Sequence, residues 1–362
     1  MRRTTTILAL VIALLLLVGV AACGGGASPA AGLDDESPQG ILTAAMTAAE
    51  TMTSATGTFD VTITVDADTT EMPAPAAAFV TQPVTISGTM AFGSEPQAAD
   101  MTMSLSLAGQ AMEAGVKMLA DKGWLQLGGQ WYEAPPELSE MMSGKNVDQD
   151  AQIARMEEAL SSAGIDPLTW IKDLRLVGEE TVYGIEAYHL SGAPDLAKIL
   201  ADVMALTQNP EAMKALDPTG ALSGLMGGAA GGSDGTEGSG AAGFAMDPTM
   251  FAEIQQQMSA MFQELGADVW IAKDDLMMLR LTAGAKVVPP AGEETGGVSG
   301  ITLDVDLGLR DHNQAVTVEA PVGAKPFSAL EEAMKNDPAS LFGPLGGILG
   351  LTGGFGFGGG TQ

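Results

Sequence analysis

From Ile41 onward the chain switches between two periods of hydrophobicity. Ile41, Ala45, Ala49 and Met52 fall on one helical stripe with Leu42 and Met46 beside it, which predicts a helix ending before Gly57. The period then becomes two. Phe59, Val61, Ile63, Val65 and Ala67 alternate with Thr58, Asp60, Thr62, Thr64 and Asp66, the pattern of a strand with one buried and one wet face. Val84, Ile86, Gly88, Met90 and Phe92 repeat the design, and so do Met101, Met103, Leu105 and Leu107 against Thr102, Ser104 and Ser106. Shorter strands at 116–120 and 124–127, and Trp131-Tyr132 after Gly128-Gly129-Gln130, fit antiparallel hairpins.

Helical spacing returns at 147–163 with Ile153, Met156, Ala159 and Leu160, and Asp166-Pro167 predicts a short helix through Trp170 and Ile171. Leu174 to Val177 and Val182 to Leu190 read as a strand pair broken at Gly178-Glu179-Glu180, after which Pro194 and Asp195 open a further helix. Beyond a Gly-, Ala- and Ser-rich insertion at 227–243, Asp247-Pro248 starts a stripe of Met250, Phe251, Ile254, Met258, Met261, Phe262 and Leu265 that predicts a helix. Strands follow at 269–272, 277–282, 301–309 and 315–319, and Pro326 begins a last helix, Phe327 to Met334. The second half has too few strands to bury its own faces, so both halves are expected to complete one sheet. Amphipathic helices with antiparallel strands that are apolar on one face describe an α+β fold: a curved antiparallel sheet with helices packed on its apolar side.

The two ends of the chain carry different signals. Arg2 and Arg3, the apolar run Ile7 to Val20, and the small residues before Cys23 form a signal peptide of the lipoprotein kind, 1–22. The run is shorter than the roughly 20 residues a membrane-spanning helix needs and ends in Cys23-Gly24-Gly25-Gly26. It resembles a bacterial lipobox, which implies acylation of Cys23 by a fatty acid such as palmitate and anchoring in the cell membrane on its extracytoplasmic face. Residues 23–37 are too poor in apolar surface to order themselves and read as a tether. The domain is expected over 38–336. The tail, 337–362, is dominated by Gly with Leu341, Phe342, Leu345, Ile348, Leu349, Leu351, Phe355 and Phe357, and reads as disordered or as a cover for an apolar opening.

Charge and composition narrow the function. Against 16 Lys and Arg stand 45 Asp and Glu, a formal charge of -29, which repels phosphate backbones and excludes nucleic acid as an expected partner. One Cys and two His leave little for metal or nucleophile constellations, and no cofactor is expected. His189 lies near a strand end and His312 in a turn, both read as satisfied or surface groups. Glu179-Glu180, Asp274-Asp275 and Glu293-Glu294 read as solvated turn charges, and Asp304 and Asp306 lack the loop spacing of an EF-hand. The glycine tracts have no phosphate-cradle ending, and Trp124, Trp131, Trp170 and Trp270 lack basic interleaving. The chain is expected not to be an enzyme.

The lipobox at Cys23, the opening helix before Phe59 to Ala67, Gly123-Trp124-Leu125 with Gln130-Trp131, Val182-Tyr183-Gly184-Ile185 to His189-Leu190, Val269-Trp270-Ile271 and Val316-Thr317-Val318 to Pro321 occur in an order that resembles the LolA-like lipoproteins of the LppX and LprG type. The Gly-rich insertion and the Gly/Phe tail depart from that pattern. The resemblance implies a half-barrel whose concave apolar face and helices enclose a pocket for the acyl chains of a lipid or glycolipid, carried between membrane and cell envelope. Phe59, Val61, Ile63, Met101, Met103, Leu105, Ile301 and Leu303 are the candidate lining, and 22 Met supply adaptable walls. The alternative is the same fold with a filled core that recognises an envelope protein partner, similar to the RseB branch of the family.

Overall fold

A computed structural model describes residues 35–70, 77, 80–94, 97–143, 149–212, 256, 260–289 and 297–336. The signal segment with Cys23, the insertion at 227–243, Glu293-Glu294 and the tail 337–362 lie outside the described residues. The period-two segments become β1 (Ser54–Ala67), β2 (Val84–Ser94), β3 (Gln97–Leu107), β4 (Gln110–Leu119), β5 (Lys122–Leu127) and β6 (Gln130–Glu133) in the first part of the chain. Then come β7 (Ile171–Val182), β8 (Ile185–Pro194), β9 (Phe262–Ala272), β10 (Met278–Val287), β11 (Val298–Arg310) and the two-residue β12 (Lys325–Pro326). They form one 12-stranded, open and curved sheet in the order β12-β6-β5-β4-β3-β2-β1-β11-β10-β9-β8-β7. Only β12 runs parallel to its neighbour. The join between early and late strands is β1 on β11, with Phe59 opposite Leu307 and Ile63 opposite Leu303.

The helices are α1 (Pro38–Ala49), α2 (Pro136–Ser143), α3 (Gln149–Ser162), α4 (Leu196–Gln208) and α5 (Phe327–Asn336), with a 3-10 turn at Pro167–Trp170. Three of them cover the two ends of the sheet's apolar face. At one end, Ser37 caps α1 by accepting the Gly40 amide at 3.0 Å, and the helix buries Ile41 and Ala45 against Tyr188, Leu190 and Ile271. At the other, Leu330 of α5 packs on Tyr132 with Leu127 and Phe327. The hydroxyl of Ser139 on α2 accepts the Gly123 amide at 3.2 Å and donates to the Ala134 carbonyl at 3.3 Å, which docks α2 on β5.

Some boundaries differ from the expectation, each for a physical reason. Gly178-Glu179-Glu180 does not break a strand pair. β7 runs through it with register shifts, and the turn lies at Tyr183-Gly184, both at positive φ (54° and 83°). The stripe through Phe262 and Leu265 does not stay helical: β9 begins at Phe262, because Gln263 finds Lys286 and Phe262 finds Val287 on β10. The strand expected at 315–319 has no ladder, since both sides of β11 are already taken by β1 and β10. The helix α2 was not foreseen; at eight residues it has little room for a periodic stripe.

The Trp170 indole donates to Asp202 at 2.7 Å and Lys198 also bonds that carboxylate, so α4 is clamped to the 3-10 turn by a buried charge with two donors. Asp202→Ala leaves the indole N–H without an acceptor and should destabilise the fold by about 1–3 kcal/mol, whereas Asp202→Asn should retain most of that contribution. Equilibrium denaturation of the two variants checks the difference.

Candidate functional site

The eight candidate residues converge because antiparallel partners directly opposite each other project to the same side of a sheet. Ile63 lies opposite Leu303, Ile301 opposite Val65, and Val61 opposite both Val305 and Ile86. Leu105 continues that line opposite Ile86, Met103 stands opposite Gly88, and Met101 opposite Met90. One cross-strand row therefore reads Ala114, Met103, Gly88, Phe59, Leu307, Leu281, Val269 and Leu190, eight strands long with no charged residue. It ends beneath α1, where Leu190 is part of that helix's core. Register also adds Val65, Ile86, Val305 and Leu307, which reading single strands did not select.

Burial along this face is uneven. Among the eight, Leu303 is 4% exposed, while Phe59, Val61, Ile63, Met101, Met103, Leu105 and Ile301 are half-buried. A Cβ on Gly88 would stand 2.1 Å from the Thr102 carbonyl oxygen and 2.6 Å from the Phe59 ring, so only glycine leaves room for the ring over β2. The centre of the face is thus smooth, apolar and less deeply covered than the ends under α1 and α5.

The opposite face carries a buried cluster of Ala187, Trp270, Ala272 and Leu279 and, beside it, a polar array that the sequence reading missed. His189 bonds Glu180 through Nδ1 at 2.8 Å and Asp268 through Nε2 at 3.0 Å, so both ring nitrogens have carboxylate partners. Its ring stacks on Trp270 with centroids 4.4 Å apart, and the Arg280 guanidinium lies 5.1 Å from the centroid of Trp270. Arg280 in turn donates to Asp306 at 3.0 and 2.5 Å. Bonds from the Trp270 indole and from His189 hold the Glu180 carboxyl below its ordinary pKa. These contacts staple β7, β8, β9, β10 and β11 side by side, and they explain why Glu179-Glu180 belongs to a strand. Next to them is an open groove of about 290 Å³ lined by Asp60, Thr282, Ala283, Gly284, Asp304, Val305 and Asp306, none of them among the eight candidates.

No family model matches the chain, and no curated protein does either. The chain is similar to a solved lipoprotein. LppX from Mycobacterium tuberculosis aligns with 78% of this chain and 98% of its own, at 14% identity and a TM-score of 0.30. LprF from Mycobacterium bovis aligns with 79% and 97%, at 14% identity and a TM-score of 0.32. A DUF1329 family protein from Desulfovibrio piger aligns with 83% and 97%, at 11% identity and a TM-score of 0.20.

The other histidine, His312, lies in the turn after β11, where Asn313 accepts from the Thr53 amide at 2.7 Å and Asp311 from the Thr56 hydroxyl at 2.5 Å. Its Nε2 is buried without a hydrogen-bond partner among the described residues. Burial lowers its pKa below the ordinary 6.5, against the opposing pull of Asp275, the Met278 backbone, Asp311 and Asp274. A depressed histidine contributes stability that is complete above about pH 6.5 and is lost as pH falls below it through the folded-state value. Denaturation midpoints should therefore drop as pH falls below about 6.5. In His312→Gln, which stays neutral, the drop should be shallower; an unchanged slope would remove His312 as its source.

Proposed function

We propose that the chain is a membrane-anchored extracytoplasmic lipoprotein that binds or carries a lipid or glycolipid on the apolar face of its half-barrel, without covalent chemistry. The observation that carries this reading is the uncharged, half-buried face running across eight strands between two helix-covered ends. An acyl chain laid along that row leaves water, at about 0.8 kcal/mol per buried methylene. Met101 and Met103 are unbranched and polarizable, suited to a flexible chain of no fixed shape. Acylation of Cys23, followed by the tether to residue 37, holds the domain at the cell membrane. Among the described residues no helix is long and apolar enough to cross a membrane.

A second reading, a sensory module that binds an envelope protein, is favoured by one observation. The edge strand β7 exposes Leu176 and Val177, and Tyr183 in the turn beside it is exposed too.

Residues 27–362, produced in a bacterial host and purified without detergent, should carry stoichiometric phospholipid or glycolipid on organic extraction and mass spectrometry. Val61→Trp and Met103→Trp, which fill the centre of the face, should lower that occupancy by roughly tenfold, on the order of 1.4 kcal/mol. A folded, lipid-free monomer would overturn the carrier reading and favour the protein partner. For the anchor, Cys23→Ala should abolish incorporation of labelled palmitate into the full chain and shift it from the membrane to the soluble fraction. Label retained in that variant would exclude Cys23 as the attachment point.

A further inference from the structure

We infer that His189 stands in the sheet as an imidazolium whose charge latches the β7–β8 edge to β9, so that the edge is held while the ring keeps both protons and loosens as rising pH removes one.

The inference starts from hydrogen-bond roles. A neutral imidazole has one N–H and one bare nitrogen, and an ionised carboxylate can only accept. Nδ1 of His189 lies 2.8 Å from Glu180 of β7, and Nε2 lies 3.0 Å from Asp268 of β9. Glu180 also accepts the Trp270 indole N–H at 3.0 Å, and the two bonds hold its carboxyl below the ordinary range, so it is ionised at neutral pH. A neutral ring donates to one of these partners and turns a lone pair on the other. The imidazolium donates to both, through charge-assisted bonds.

Charge on every element packed against the ring favours the second proton. β7 contributes Glu180, β9 contributes Asp268, and β10 contributes Arg280, which is itself bonded to Asp306 of β11. Three carboxylates thus share one guanidinium. Of the other cations nearby, Arg175 donates to the Ser191 hydroxyl at 3.1 Å and Lys273 pairs with Glu179 at 2.7 Å, so neither neutralises Glu180 or Asp268. The ring lies nearly parallel to Trp270, at 19° and 4.4 Å, where the indole face attracts a cation, and its side chain is only 12% exposed.

The latched strand has a second load. Tyr188 and Leu190 project from β8 to the side opposite His189, where they bury Ile41 and Ala45 of α1 with Leu174 of β7 beside them. The strand that the imidazolium secures is therefore also the floor of the helix that closes one end of the apolar face. A proton held by the folded state contributes stability that is present at low pH and lost as pH rises, the opposite sign to His312.

The test uses the full chain in a mild detergent, with its two histidines labelled at the ring nitrogens. Nitrogen NMR at about pH 7, assigned with His312→Gln, should show both His189 nitrogens protonated. One bare nitrogen would overturn the inference. In Asp268→Asn, which removes the second carboxylate, Nε2 should be bare at the same pH. Amide exchange at residues 187–190, corrected for the intrinsic rate, should rise about tenfold between about pH 7 and pH 9. His189→Gln, which has no proton to lose, should exchange faster than the parent at the lower pH and show no such rise. Where that variant does not fold, Asp268→Asn should flatten the rise instead. An unchanged rate in the parent, or an equal rise in the variants, would remove His189 as a latch.

Discussion

The pairing of β1 with β11 is the constraint on which the molecule depends. It joins residues 54–67 to residues 298–310, and among the described residues no other ladder connects the β2 to β6 half of the sheet with the β7 to β10 half. Its register aligns two alternating patterns so that Phe59, Val61 and Ile63 share a side with Leu307, Val305 and Leu303. A slip of one residue would set Asp304 and Asp306 beside those apolar positions, so hydrophobic burial selects one register strongly. A contact this distant in sequence also carries a loop-closure cost, which grows slowly with the length of chain it closes.

Given that seam, the two faces divide the work. The apolar side is closed at its ends by α1 and α5, which pack on strands distant in sequence, and is less deeply covered in the middle. The polar side is held by charge and aromatic stacking instead: His189 between Glu180 and Asp268, Trp270 between His189 and Arg280, and Arg280 on Asp306. The array borders the buried cluster of Ala187, Trp270, Ala272 and Leu279, so polar contacts and burial fix strand order together.

Much of this was legible in the sequence where one strand carries its own signal. The parity of Thr58 to Ala67 or of Met101 to Leu107 tells inside from outside with no knowledge of neighbours, so the eight candidate positions fell on one side. What single strands could not show was alignment between them. Ile86, Val305 and Leu307 joined the row only through register, and Glu180, His189, Asp268 and Arg280 look like scattered surface charges until four strands are side by side. Turn chemistry misled at Gly178, where glycine and two glutamates suggest a loop, while the turn was made by Tyr183-Gly184. Pattern also failed where it was locally right but had nowhere to go: 315–319 alternates like a strand just after β11, whose two sides are already paired with β1 and β10.

The two sheet edges are unequal. At β6 the edge is stopped by a parallel strand of two residues and then by α5, while β7 is a full-length border. That border is interrupted by register shifts at Lys172/Arg175 and Leu176/Gly178, bent at Asp173 with φ of 55°, and studded with Lys172, Arg175, Glu179 and Glu180. Kinks and alternating charges along a strand spoil a template for a second strand. A second copy meeting this border finds a kinked, charged margin instead of a straight row of unpaired amides and carbonyls, so the sheet is not extended edge to edge.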